Sequence, residues 1–190
     1  MKKRILGILG LAAIVLLTGC ILTGTFVTTV RIVPDDQGDS LYVSFTNISD
    51  SEIEVDLTGD ADFEDHKDDI KDIDNVGFYL DVTNLDADPS HVDTFQIFIE
   101  ADTSKNWNEY GMQTIIDSAS YLFLTDVIIP GNSRKIITWN ESVSKITDLE
   151  NAMPIIESGL FSLYVLALPR DMFDLRVDSM VVVVTFTAGK

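Results

Sequence analysis

From about residue 25 onward, apolar and polar side chains alternate in short runs, and clusters of Asp, Gly, Asn and Pro separate the runs. Successive side chains of an extended chain point to opposite faces, so a period of two marks a strand with one buried and one solvated face. The cleanest case is Ile53, Val55 and Leu57 alternating with Glu52, Glu54 and Asp56. Phe26, Thr28, Val30 and Ile32 share one face of a first strand, and Leu41, Val43 and Phe45 one face of a second. Val76, Phe78, Leu80 and Val82 mark another, followed by Phe95, Ile97 and Ile99, then Leu122 and Leu124 around Phe123. Ile136 and Ile137 lead to Trp139. The chain closes with long strands over 160–168 and 175–187. The run from Met180 to Val184 has no polar break, which predicts a central strand or one buried on both faces.

Two stretches follow a helical period instead. Over 62–74, Phe63, Ile70 and Ile73 fall near one helical face, with Asp62 as N-cap. Over 141–153, Val143, Ile146, Leu149 and Met153 form one stripe, with Asn140 as cap and Pro154 as stop. Many short strands joined by turn residues, with two short inserted helices, predict a mostly β protein: an antiparallel β-sandwich of immunoglobulin-like kind. In pattern it is similar to immunoglobulin-like envelope lipoproteins and to the water-stress sandwich of late-embryogenesis proteins.

The chain carries 31 acidic and 13 Lys plus Arg residues, a formal charge of −18. Such a surface repels phosphate backbones, so nucleic acid is excluded as a partner. At 46% hydrophobic residues the chain is too apolar for a disordered acidic tail. Its single cysteine rules out an internal disulfide.

That cysteine lies at the end of a distinctive start. Lys2, Lys3 and Arg4 precede an uncharged run from Ile5 to Leu17, the length of a signal-peptide apolar region and shorter than the roughly 20 residues of a membrane span. Leu17-Thr18-Gly19-Cys20 follows, which resembles the lipobox of bacterial lipoproteins. The resemblance covers residues 1–20. It implies diacylglycerol on the Cys20 thiol and cleavage just before Cys20. The expected organisation is a signal peptide over 1–19, a lipidated tether over 20–24 and one sandwich domain over 25–190. Position 21 is Ile, not the Asp that favours inner-membrane retention, so an outer-membrane address follows for a host with two membranes. The membrane is then a partner through the lipid, and envelope proteins or glycans are the expected others.

Residues 50–102 hold 18 of the acids against Lys67 and Lys71. Clustered carboxylates either form a solvated, self-repelling surface or hold a cation. For calcium, the one candidate cofactor, the ligands would be Asp60, Asp62, Glu64 and Asp65, or Asp35, Asp36 and Asp39 in the first turn. The spacing departs from an EF-hand, because Asp65 stands where Gly is needed and Lys71 where Glu is needed.

No nucleophile elbow, zinc-binding helix or phosphate loop occurs in the sequence. His66 and His91 read as surface residues, and Ser90-His91-x-Asp93 lies in a line that does not build a triad. Trp107 and Tyr110, set among polar residues, mark the candidate binding loop. The expectation is a non-enzymatic, lipid-anchored envelope protein with a structural or binding role. A calcium-dependent or small-ligand-binding lipoprotein in adhesion or transport is the alternative, and a carboxylate-based envelope hydrolase the third.

Overall fold

A computed structural model of the chain describes residues 23–33, 39–46, 52–101, 121–169 and 172–189. Its strands are β1 (Thr23–Val33), β2 (Leu41–Ser44), β3 (Glu52–Asp56), β4 (Ile70–Asn84), β5 (Val92–Glu100), β6 (Tyr121–Pro130), β7 (Ser133–Ile137), β8 (Leu160–Leu168) and β9 (Asp174–Gly189). The helices are α1 (Ala61–His66), continued by a 3-10 turn over Lys67–Asp69, α2 (Trp139–Val143) and α3 (Leu149–Glu157).

All strand pairs are antiparallel, in two sheets. One runs β1-β9-β4-β7, with β2 also on β9; the other runs β3-β8-β5-β6. The sheets face each other across a core that includes Phe78, Leu80 and Val82 of β4, Phe95 and Ile97 of β5, Phe161 and Leu163 of β8, and Val184 and Phe186 of β9. The mostly β antiparallel sandwich expected from the alternation is the observed fold. β9 is central, paired with β4 on one side and with β1 and β2 on the other. Its outward residues Val181 and Val183 are half-buried, whereas β8 is buried on both faces from Phe161 to Ala167.

One side of the sandwich is closed by chain. β6 of one sheet turns through Gly131 and Asn132 directly into β7 of the other. The segment after β7 then seals what remains. The Phe78 N–H, at the edge of β4 beyond the reach of β7, donates to Ser142 Oγ at 2.7 Å. Thr125 N–H donates to Lys145 O at 3.3 Å and Thr147 N–H to Phe123 O at 2.9 Å, so residues 145–147 cover the edge of β6. Trp139 sits over Gly77: a Cβ there would lie 2.6 Å from Trp139 Nε1 and 2.9 Å from Val143 Cγ2. Gly77→Ala should therefore displace α2 and destabilise the protein by about 2 kcal/mol. Urea denaturation checks this, and an unchanged midpoint would show that α2 yields freely.

Both helical expectations need correction. The segment 62–74 is helical only to Asp69, and β4 begins at Ile70. Register shifts between Ile70 and Asp72 and between Ile73 and Asn75 insert extra residues into the strand. Ile70, Ile73 and Val76 therefore turn inward at a spacing of three, which mimics a helix. The cap is Asp60, not Asp62; its carboxylate accepts from the N–H groups of Asp62 and Phe63. The segment 141–153 is two helices, because residues 145–147 leave the helical path to pair with β6. Thr138 caps α2 rather than Asn140. Pro154 lies inside α3 instead of ending it, where buried Ala152, Ile155 and Ile156 hold the helix to the sandwich.

Candidate functional site

The opposite side of the sandwich, between β1 and β2 of one sheet and β3 of the other, has no such seal among the described residues. A cavity of about 220 Å³ opens there, lined by Ile32, Val33, Asp39, Ser40, Leu41, Glu52 and Ile53. Its walls come from the ends of three strands. The shift in pairing between Arg31 and Val33 lets both Ile32 and Val33 turn toward the interior. Ser40 Oγ donates to the Asp178 carboxylate on β9 at 2.9 Å, which fixes the approach to β2.

Glu52, at the start of β3, borders this cavity. Burial raises its pKa above the ordinary carboxylate value, and hydrogen bonds from Tyr164 and Ser162 offset part of that rise. The Tyr164 hydroxyl and the Ser162 hydroxyl each lie 3.3 Å from Glu52 Oε1. Burial also pushes the Tyr164 phenol up, and the neighbouring Glu52 and Glu100 carboxylates add to it. The cavity walls are chiefly hydrocarbon, and the Glu52 carboxylate beside them turns to the outer face of β3 and β8, where Tyr164 and Ser162 hold it.

A second cluster occupies the β4–β5 connection. His91 is not a surface residue: its side chain is only 11% exposed. Nδ1 pairs with Asp86, and Nε2 points at Asp93 from 3.4 Å. Gly131 makes this burial. Its N–H donates to His91 O at 2.7 Å, and a Cβ there would fall onto the Asp88 carbonyl oxygen. The hydrogen bond with Asp86 raises the His91 pKa. Asp93 is fully buried, and burial pushes its pKa up to about 6. Neither Asp93 oxygen has a hydrogen bond of good geometry; the Asp174 N–H and the Asn84 amide lie near enough only to offset part of the burial. With a carboxylate facing each ring nitrogen, His91 has none left to serve as a base toward a substrate. Ser90 Oγ donates to Asp88 at 2.7 Å instead, so Ser90, His91 and Asp93 form no triad.

The calcium candidates are placed as helix furniture. Asp60 caps α1, Glu64 pairs with Lys67 at 2.6 Å, and Asp62 and Asp65 are exposed. Among the described residues, no three His, Cys, Asp or Glu side chains are arranged to hold a metal ion. His66 Nδ1 donates to Asp62 O at 2.9 Å, and its ring stacks on Phe26 at 5.0 Å. Cys20, Asp35, Asp36, Trp107 and Tyr110 lie outside the described residues. Among the described residues no helix is long and apolar enough to cross a membrane. No protein-family model matches the chain, and no curated protein matches it in sequence.

Proposed function

We propose that the protein is a lipid-anchored lipoprotein of the bacterial cell envelope whose sandwich domain is a non-catalytic structural or binding module. The observation that carries this reading is Leu17-Thr18-Gly19-Cys20 behind a basic start and an uncharged run. Two or three acyl chains on Cys20 make a stable anchor, whereas one alone is marginal. In a host with two membranes the destination is the outer membrane.

The fold supports the reading through position. β1 starts at Thr23, directly after the proposed anchor, and its first residues pair with the end of β9. Phe26 stacks on His66, so the end bearing α1 is the one held at the bilayer. The opposite end, with the His91 cluster, then projects away by the length of β9, roughly 50 Å at 3.3 Å per residue.

Cys20→Ser tests the anchor. The variant should leave the membrane fraction or accumulate as uncleaved precursor, with no incorporation of labelled fatty acid. A variant still cleaved and labelled would overturn the proposal.

A further inference from the structure

We propose that the outer face of the β1-β9-β4-β7 sheet pairs with the same face of a second copy of the chain, about a two-fold axis that runs along β9. The direction of that axis rests on the anchored-module reading above. The face is marked by what it exposes. Val27 of β1, Tyr42 of β2, Tyr79 of β4 and Ile136 of β7 all alternate with core residues, point outward from this one sheet and are 40–54% exposed. Val181 and Val183 of β9 lie between them, half-buried. Arg31, Arg134 and Arg176, all the arginines among the described residues, stand on the same face. Protein interfaces are enriched in tyrosine and arginine and depleted in lysine and acid at their centre. In a chain with 31 acids, that composition sets this face apart from the rest of the surface.

Its charges are already matched. Arg134 holds the buried Asp81 through two hydrogen bonds, and Arg176 pairs with Asp178 at 2.8 Å. An approaching copy therefore meets two neutral pairs and the extra charge of Arg31. The acids that crowd α1 and the β4–β5 connection lie at the two ends of the sandwich instead.

The register makes the face complementary to itself. Arg31, Val181 and Tyr79 form one row across β1, β9 and β4. Thr29, Val183 and Gly77 form a neighbouring row, and Trp139 and Val143 of α2 stand over Gly77. A half-turn about an axis along β9 exchanges the β1 side with the β4 side and keeps each row at its own height. Arg31 of one copy then comes over the Tyr79 ring of the other, a cation–π contact made twice. The raised edge formed by α2 comes over the small, exposed Thr29 of the other copy, also twice. The face measures roughly 20 Å by 27 Å from strand spacing and rise, so a pair buries about 1,000 Å². That is the lower bound of a specific interface, and confinement in one bilayer raises the effective concentration of a weak pair.

The anchor selects the direction of the axis. Packed sheets keep their strands within about 30° of each other, either parallel or antiparallel. An axis along the strands points both copies the same way, so both short tethers enter one bilayer. An axis across the strands sends the anchors to opposite ends. The bilayer itself is not the occupant, because this face stands along the membrane normal when the α1 end is held there.

The test uses the full chain purified in detergent, with sedimentation followed over rising concentration. A monomer–dimer equilibrium is expected. Arg31→Glu and Tyr79→Ala, both at exposed positions, should each weaken it about tenfold, and at concentrations where the parent is monomeric should leave the melting temperature unchanged. The exchange of Arg31→Tyr with Tyr79→Arg should restore it, because each residue again meets its counterpart on the other copy. A chain that stays monomeric, as it would if another segment or another protein owned the face, would overturn the proposal. So would a dimer indifferent to both single variants, or an exchange that fails to restore pairing. Fatty-acid labelling reads the anchor separately and the detergent equilibrium needs no lipid, so either idea can fail alone.

Discussion

Phe186→Ala should cost about 4 kcal/mol of stability and lower the melting temperature by about 10 °C. The ring is fully buried in β9 and joins three elements at the end where β1 begins. It stacks on Phe26 of β1 with centroids 5.0 Å apart, and meets Phe63 of α1 edge-on at 5.6 Å. Phe63 in turn lies over Gly159, where a Cβ would come within 2.7 Å of its ring. Gly159 has φ +80°, a conformation other residues rarely adopt, so the chain between α3 and β8 is shaped to receive that ring. Removing Phe186 leaves a cavity that β1 and α1 cannot fill without breaking the β1–β9 register. Phe186→Leu keeps most of the volume and should cost less than half as much. Phe45→Ala, at an exposed position, should stay within about 0.5 kcal/mol. Thermal denaturation with both controls checks the ordering, and a Phe186→Ala midpoint near the parent's would show that the ring cluster does not hold this end together.

Strands with one solvated face are the part of this fold that the sequence makes legible. Ile53, Val55 and Leu57 all turn inward, as do Val76, Phe78, Leu80 and Val82. Each of these positions is set locally by the pleat. Where two faces are buried the alternation vanishes: Gln96, Phe98 and Glu100 are as buried as Phe95, Ile97 and Ile99, and nothing in that run distinguishes the faces. Bulges deceive in the other direction, since they gave Ile70, Ile73 and Val76 a helix-like spacing within a strand. The cavity was not legible, because its walls come from β1, the approach to β2 and β3, and their adjacency depends on strand order. Glu52 is the outward charge that the alternation predicts, but its bonds to Tyr164 and Ser162 depend on the pairing of β3 with β8, which lies over 100 residues away in sequence. His91 looked exposed for a related reason: the turn at Gly131 that buries it is 40 residues away in sequence.

Burial of Asp93 should make the protein more stable in mild acid than at pH 8. Its carboxyl has an ordinary value of 3.8 and is pushed up to about 6 in the fold, chiefly by burial. The folded form therefore holds this proton more tightly than the unfolded chain does. Stability from this group is full below about pH 4, falls as pH rises through the window to about 6, and is absent above it. Such a displacement is worth about 3 kcal/mol as a ceiling. His91 acts in the same sense at higher pH, since its raised pKa contributes stability below 6.5 that is lost as pH climbs through the folded value. Asp86 and Asp88 act oppositely. Asp88's N–H, together with His91, lowers the first; the Ser90 hydroxyl and N–H lower the second. Their stabilisation is present above 3.8 and disappears as pH falls through the lowered values, which sets the acid limit. The melting temperature should thus peak near pH 4 and decline toward pH 8. Asp93→Asn removes the charge while keeping the shape, so it should raise the melting temperature by several degrees at pH 8 and by little at pH 4.5. Chemical-shift titration of Asp93 and melting curves across pH 4–9 measure both halves. A variant whose curve keeps the parent's slope between pH 4 and 6 would place the pH response elsewhere, in the general repulsion among the surface carboxylates.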